Sequence, residues 1–140
     1  MNINKFTQKS MEAVQNCEKL AYEYGNQQIE QEHLLYSLLS LEDSLILKLL
    51  TKMGISREMI QNEAEQKLAS LPKVSGNGQV YISNDLNKVL IHAEDESRAM
   101  GDEYVSVEHI FLAMLKHADR MMKELFRQYG INRDTFLQAL

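Results

Sequence analysis

Small and apolar residues recur at three- and four-residue intervals through the first part of the chain, the spacing of one face of an α-helix. The positions on this face are Phe6, Ser10, Ala13, Val14, Cys17, Ala21 and Tyr24. Gly25 follows, and glycine commonly ends a helix because it adopts positive φ without strain. The pattern predicts a first helix from about Phe6 to Tyr24.

Three shorter helices are predicted in the rest of the first half. The second begins after Glu30 and carries a leucine-rich face. Ser44 stands where a side chain caps a third helix, which extends to Met53 before Gly54. Ser56 caps a fourth helix in the same way. The first half therefore predicts a four-helix unit.

The second half of the chain repeats the first at a constant offset of 76 residues. The matched pairs include the glycines that end helices and a Glu-His pair: Gly25/Gly101, Glu32/Glu108, His33/His109, Gly54/Gly130 and Ile55/Ile131. A match that keeps glycines and apolar positions in register indicates duplication. The corresponding helices are one ended by Gly101, one capped by Ser106, one from about Arg120 to Tyr129 and one capped by Asn132.

These patterns predict an all-α fold of two pseudo-symmetric four-helix repeats in a single domain, 1–140. Repeat one covers about 1–70, the linker 71–81 and repeat two about 82–140. The linker holds proline, serine and two glycines, so we expect it to be exposed and mobile. Whether it is a plain connector or a functional segment stays open. Strand is expected only as a short pairing near Val80 to Ile82.

Charge and composition narrow the class of protein. The chain has 15 Lys and Arg against 20 Asp and Glu, and no basic run suited to a phosphate backbone, which disfavours nucleic acid as a partner. The N-terminal residues are polar, and no apolar run approaches the roughly 20 residues of a membrane span. We therefore expect no membrane association. The single cysteine, Cys17, fits a reducing compartment and predicts a cytoplasmic location.

No constellation in the sequence predicts catalysis. His33 and His109 lack the spacing of a zinc motif, and each is interpreted as a partly buried residue that ties a helix start to a neighbouring backbone. Cys17 is interpreted as a small packing residue because Ala93 holds the equivalent position. The glycine-rich stretch 75–78 lacks the lysine of a phosphate loop. The chain is predicted not to be a self-sufficient enzyme and to bind no cofactor or metal.

Two equivalent acids, Glu32 and Glu108, lie in the first turns of their helices. A carboxylate at that position commonly compensates the helix dipole. Two acids presented at pseudo-symmetric edges would also suit a recognition role. The residues alone leave both interpretations open.

The sequence Glu-His-Leu-Leu at 32–35, its repeat Glu-His-Ile-Phe at 108–111 and the two Gly-Ile pairs resemble the Clp N-terminal domain. This is the duplicated helical domain of the Clp/Hsp100 AAA+ unfoldases. The resemblance covers essentially the whole chain. Segments 71–76, 79–83 and 101–106 are most similar to the ClpB disaggregase branch.

This resemblance implies a substrate-recruiting domain of an ATP-dependent disaggregase. Such a domain captures exposed apolar segments of unfolded or aggregated proteins, or docks adaptor proteins. The implied motor modules, with their ATP and Mg, lie C-terminal to residue 140. The implied parent protein is a homohexamer.

Family positions that line the capture groove or affect substrates match Thr7, Leu90, Asp102 and Glu108. A groove-lining Leu90 is expected to be only partly buried, and an ordinary core position is the other interpretation. A second resemblance, to the ClpC-type unfoldase of a Clp protease, implies adaptor docking or phosphoarginine binding. In that branch, acids matching Glu32 and Glu108 contact the ligand, so Glu32 is a further candidate.

Overall fold

The structure, a computed structural model, describes residues 3–76 and 78–140. A single turn of 3-10 helix, Ile3–Lys5, opens the described chain. In the first half follow α1 (Gln8–Glu23), β1 (Gln28–Ile29), α2 (Gln31–Ser40), α3 (Leu45–Lys52) and α4 (Arg57–Ala69). In the second half follow β2 (Tyr81–Ile82), α5 (Asn84–Ala99), α6 (Val107–Lys116), α7 (Arg120–Tyr129) and α8 (Arg133–Ala139). The predicted all-α class is confirmed, and the strands are short, as expected.

The helix ends lie where the local sequence places them. Gly25 and Gly101 follow the long first helices of the two halves with φ of +71° and +73°, a region that side chains with a Cβ rarely adopt. The next amide in each half donates back to the helix, Asn26 to the Ala21 carbonyl and Asp102 to the Ser97 carbonyl, both at 2.8 Å. These bonds satisfy carbonyls that the helix end would leave without partners. The two halves therefore stop their first helices by the same device.

The segment before the first helix of each half pairs with the other half. Phe6 forms an isolated parallel bridge with Val105, and β1 pairs in parallel with β2 in a register that places Ile29 opposite Ile82. The two pairs are equivalent in the repeat, because at the offset of 76 residues Phe6 corresponds to Ile82 and Ile29 to Val105. The start of α1 thus lies against the second half, and the start of α5 lies against the first. We call the Phe6–Val105 region the first junction and the β1–β2 region the second junction.

The apolar faces of both halves merge into one hydrophobic core. The second half is centred on three phenylalanines, with the Phe111 ring 4.7 Å from Phe136 and 5.7 Å from Phe126 between centroids. Cys17 is buried in the first half, and burial raises the pKa of its thiol to about 12. The burial of Cys17 in the core confirms its predicted packing role. Because its pKa is raised, the thiol stays un-ionised near neutral pH and is a poor nucleophile.

The linker lies against the first half before it reaches β2. The Asn26 side-chain amide donates to the Pro72 carbonyl at 2.9 Å, and the Val74 amide donates to the Gly25 carbonyl at 2.8 Å. Leu71 is buried, whereas residues 72–76 are exposed, as expected. Asn77 lies outside the described residues. The division into repeats at about 70 and 82 stays a prediction. No helix among the described residues is long and apolar enough to span a membrane.

Candidate functional site at the two repeat junctions

The first junction is built around the N-cap of α1. The Thr7 hydroxyl accepts from the Ser10 amide at 3.2 Å, while the Thr7 amide donates to the Val105 carbonyl at 3.0 Å. The Ser10 hydroxyl donates to the same carbonyl at 2.7 Å and is fully buried. These bonds hold the start of α1 beside the start of α6, where Glu108 lies half-buried in the first turn.

Asp102 reaches the same junction through a buried histidine. His109 Nδ1 accepts from the Ser106 amide at 2.9 Å, so the ring proton lies on Nε2, which bonds Asp102 Oδ2 at 2.8 Å. The Asp102 side chain is about half exposed. The structure therefore brings three of the predicted site residues, Thr7, Asp102 and Glu108, to one junction.

An equivalent histidine arrangement stands at the second junction, with an uncharged acceptor. His33 Nδ1 accepts from the Glu30 amide at 2.8 Å, and Nε2 bonds the side-chain oxygen of Asn26 at 2.8 Å. Burial lowers the pKa of His33 to about 4, so the ring is neutral near pH 7. The predicted role of both histidines, tying a helix start to a neighbouring backbone, is confirmed. Their burial is complete rather than partial.

Glu32 is not presented at an edge, so the interpretation of two equivalent acids at pseudo-symmetric edges is wrong for this residue. Its side chain is 2% exposed and lies against Asp119, and Oε2 has no hydrogen-bond partner among the described residues. Burial raises the pKa of Glu32 to about 8, with the negative charge of Asp119 and a hydrogen bond to it adding to the shift. Glu108, its counterpart, stays half-buried.

A single substitution between the repeats accounts for this asymmetry. The Gln31 side chain donates to the His117 and Asp85 carbonyls at 2.8 and 3.1 Å and accepts from the Asp119 amide at 2.8 Å. These bonds hold the α6–α7 loop against the start of α2. Repeat two has Val107 at the equivalent position, and valine offers none of these bonds. The second junction is therefore closed by contacts that the first junction lacks.

Leu90 is a core residue, and the expectation that it is only partly buried is wrong. It is 1% exposed on the face of α5 that packs against α6, together with Leu86, Val89 and Ala93. A leucine on an amphipathic face is buried when another helix covers that face, which periodicity alone does not reveal. Leu90 thus belongs to the core, which confirms the ordinary core interpretation of this residue.

Two positions that shape the junctions were missed at the sequence level. Ser83 caps α5 beside the half-buried Glu30 carboxyl, whose pKa is raised by burial. Ser83 is the counterpart of Thr7 at the same offset, so applying the repeat to the predicted site would have found it. Gln31 carries no such signal, because its counterpart in repeat two is apolar.

The described residues hold no group of three or more His, Cys, Asp or Glu side chains arranged to bind a metal ion. The hydrogen-bonding groups at the helix starts of the two junctions bond within the protein, as the Ser10 hydroxyl does to the Val105 carbonyl.

The sequence of residues 5–129 matches the Clp repeat (R) N-terminal domain family, and the chain belongs to this family. It corresponds to the N-terminal domain of Clp/Hsp100 chaperones rather than to an ATPase module. The chaperone protein ClpB of Nitratidesulfovibrio vulgaris is 38% identical over 145 aligned residues, which span all of this chain and 17% of that relative. The chain thus covers about a sixth of the length of the curated relatives that it matches.

Solved structures show the same fold. The Hsp104 N-terminal domain of Candida albicans superposes with a TM-score of 0.83 at 23% identity, covering 96% of this chain and 88% of that one. The N-domain of ClpV in a complex with a VipB peptide gives 0.74 at 23% identity, covering 98% and 89%. The predicted resemblance and fold class are both confirmed.

Proposed function

We propose that the chain is the substrate-recruiting N-terminal domain of a ClpB-type ATP-dependent protein disaggregase, and that it binds exposed apolar segments of unfolded or aggregated proteins. The ClpB relatives that match across the whole chain support this branch. The structural observation that carries the proposal is exposed apolar surface beside both junctions.

The apolar side chains concerned are about half exposed. Tyr81 and Ile82 form β2 at the second junction, and Val74 of the linker lies nearby. Ile3 and Tyr104 stand beside the paired segments of the first junction. Burying such area stabilises a complex by about 25 cal/mol per Å². Because each side chain is already half covered, each adds only about 1 kcal/mol. Capture is therefore weak and reversible, which suits transfer of a client to a motor.

The test is a titration of the chain with a reduced, alkylated and permanently unfolded protein, followed by amide shifts in NMR. We expect shifts at the two junctions and an affinity in the micromolar range or weaker. Tyr104→Ser and Ile82→Ser should each weaken binding several-fold. Met59→Ser is the matched control, since Met59 is at least as exposed but lies on α4, outside both junctions. An equal loss in the control, or shifts confined to other surfaces, would contradict junction capture.

The second candidate function is that of a ClpC-type N-terminal domain, which docks adaptors or binds phosphoarginine. The half-buried Glu108 beside the N-cap of α1 favours it, because a guanidinium needs an accessible carboxylate. The burial of Glu32 against Asp119 disfavours a second, equivalent site. Calorimetric titration with phosphoarginine separates the two functions. The ClpB-type proposal expects no saturable heat, and stoichiometric binding lost in Glu108→Gln would support the ClpC-type alternative.

For the whole protein we propose a homohexameric, cytoplasmic AAA+ unfoldase whose ATP and Mg sites lie in motor modules outside this chain. The domain itself would hold no cofactor, and adaptor proteins are further candidate partners. Light scattering of the full-length protein tests the assembly. Comparison of its ATPase and disaggregation rates with and without this domain tests recruitment. The proposal expects disaggregation to fall on removal of the domain while basal ATPase persists.

A further inference from the structure

A cleft of about 620 Å³ opens in the second half, between α5, the α6–α7 loop and α7. We call it the basic cleft. Its basic side chains are Lys88, Lys116, Arg120, Lys123 and Arg127. Its acidic side chains are Asp85, Asp119 and Glu124. A surplus of positive charge gathered in one concave surface stands out on a chain whose net charge is −5.

Few of these cations are held in close ion pairs among the described residues. Arg127 pairs with Glu124 at 2.9 Å, but none of the other four cations has an acidic partner within 4.0 Å in the described part of the chain. Asp119 is already engaged, because it accepts from the Met122 amide at 2.9 Å as the N-cap of α7 and lies against Glu32. The cleft therefore presents cations that remain available to a ligand.

His117, at the edge of the cleft, lies in the same positive potential. The His92 and His117 rings stack with centroids 4.2 Å apart, and His117 lines the cleft. Burial lowers the pKa of His117, and the positive charges of His92, Lys116 and Lys88 lower it further. The N-terminus of α7 opens at the same wall and adds the positive end of its helix dipole.

We propose that the basic cleft docks an acidic peptide segment, a stretch of client or partner polypeptide rich in Asp and Glu. Carboxylate side chains complement separate Lys and Arg groups on three elements, and the volume suits a few side chains of an extended peptide. A nucleic acid fits less well, because its phosphates form an unbroken line of charge that must pass the acids on the same wall, whereas the carboxylates of a peptide are separate groups spaced among neutral ones. This docking is independent of apolar capture at the junctions and adds a charge preference to it.

The experiment uses fluorescence anisotropy of a labelled Asp- and Glu-rich peptide and of its isosteric Asn and Gln version. The cleft variant is Lys88→Glu/Lys123→Glu, and the control is Lys19→Glu/Lys48→Glu. All four lysines are exposed, and both double variants change the net charge equally, but Lys19 and Lys48 lie on α1 and α3 in the first half. Circular dichroism checks that each variant stays folded.

The acidic peptide should bind the wild-type chain, the neutral version should not, and added salt should weaken binding. The cleft variant should lose affinity by about tenfold, since two attractive contacts become repulsive, while the control changes little. Equal losses in both variants would reduce the effect to net charge and overturn the proposal. Absence of binding at low salt would also overturn it. Tighter binding of a single-stranded oligonucleotide, lost in the same cleft variant, would assign the cleft to nucleic acid instead.

Discussion

Replacing Leu90 by alanine separates the two roles considered for this residue. Leu90 is 1% exposed on the core face of α5, whereas its neighbour Ile91 is 44% exposed on the same helix. The two substitutions remove similar hydrocarbon volume one position apart. Leu90→Ala therefore tests the core, and Ile91→Ala reports what the same kind of truncation does at the surface of α5.

Truncating a buried leucine costs about 2–5 kcal/mol, since transfer free energy is lost and a cavity remains. Complete burial and close packing between α5 and α6 place Leu90 within that range. For a domain of this size each kcal/mol lowers the melting temperature by about 3 °C, so Leu90→Ala should melt roughly 6–15 °C lower. Ile91→Ala should cost about 1 kcal/mol or less, because much of the side chain is already in water and alanine favours the helix.

Urea unfolding followed by far-ultraviolet circular dichroism measures both costs. The Leu90→Ala midpoint should fall well below that of Ile91→Ala with an unchanged slope. The fraction of Leu90→Ala that remains folded should bind an unfolded client as tightly as the wild-type chain. If the stability of Leu90→Ala stays within 1 kcal/mol of wild type while client affinity drops, the core assignment fails and Leu90 lines a groove.

Three further experiments test the junctions and the core. The raised pKa of Glu32 means that the folded chain holds this proton more tightly than the unfolded chain, so the free energy of unfolding should fall as pH rises from about 4.5 to about 8. In urea titrations at several pH values, Glu32→Gln should remove much of that decline, whereas the control Glu108→Gln should keep it. If the free energy of unfolding depends on pH in the same way in both variants, the burial of Glu32 beside Asp119 is contradicted. Asp102→Ala should cost about 1–3 kcal/mol in urea unfolding by leaving the buried His109 Nε2–H without its acceptor. Asp102→Asn should cost much less, because Asn26 fills the same role in repeat one, and equal costs for the two variants would argue against the hydrogen bond. The Cys17 thiol should react with a thiol-specific dye only after urea unfolds the chain. If the folded chain reacts as fast as an exposed free thiol, the burial of Cys17 is refuted.

The helices and their ends could be predicted because local chemistry determines them. Ser44 and Ser56 cap the helices that they were predicted to cap, and α7 covers Arg120–Tyr129 as expected. Capping needs only a side chain that reaches an amide three residues on, and a glycine stop needs only positive φ. Neither depends on what the rest of the chain does.

The junctions could not be predicted in the same way. The repeat offset relates Phe6 to Ile82 and Ile29 to Val105, but it does not state that each segment pairs across to the other half. Burial of Leu90 follows from the helix that covers α5, which is tertiary information. The sequence gives a partial indication of the basic cleft, because Arg120, Lys123 and Arg127 recur at three- and four-residue spacing and so share one face of a helix. The remaining cations come from other elements, which only the fold brings together.

Duplication gave this chain two junctions of one design, and a few side chains have made them unequal. Gln31 holds a loop over the second junction and leaves Glu32 buried with Asp119, whereas Val107 leaves Glu108 accessible at the first. A buried carboxyl with a raised pKa is a poor partner for a cation, because it is largely protonated near neutral pH and its neighbours exclude water. A ligand that needs a carboxylate should therefore bind at the first junction and not at the second. An apolar segment meets no such distinction, since both junctions expose hydrocarbon surface. Under the proposed function, the asymmetry restricts recognition of cationic groups by a carboxylate to the first junction and leaves apolar capture available at both junctions.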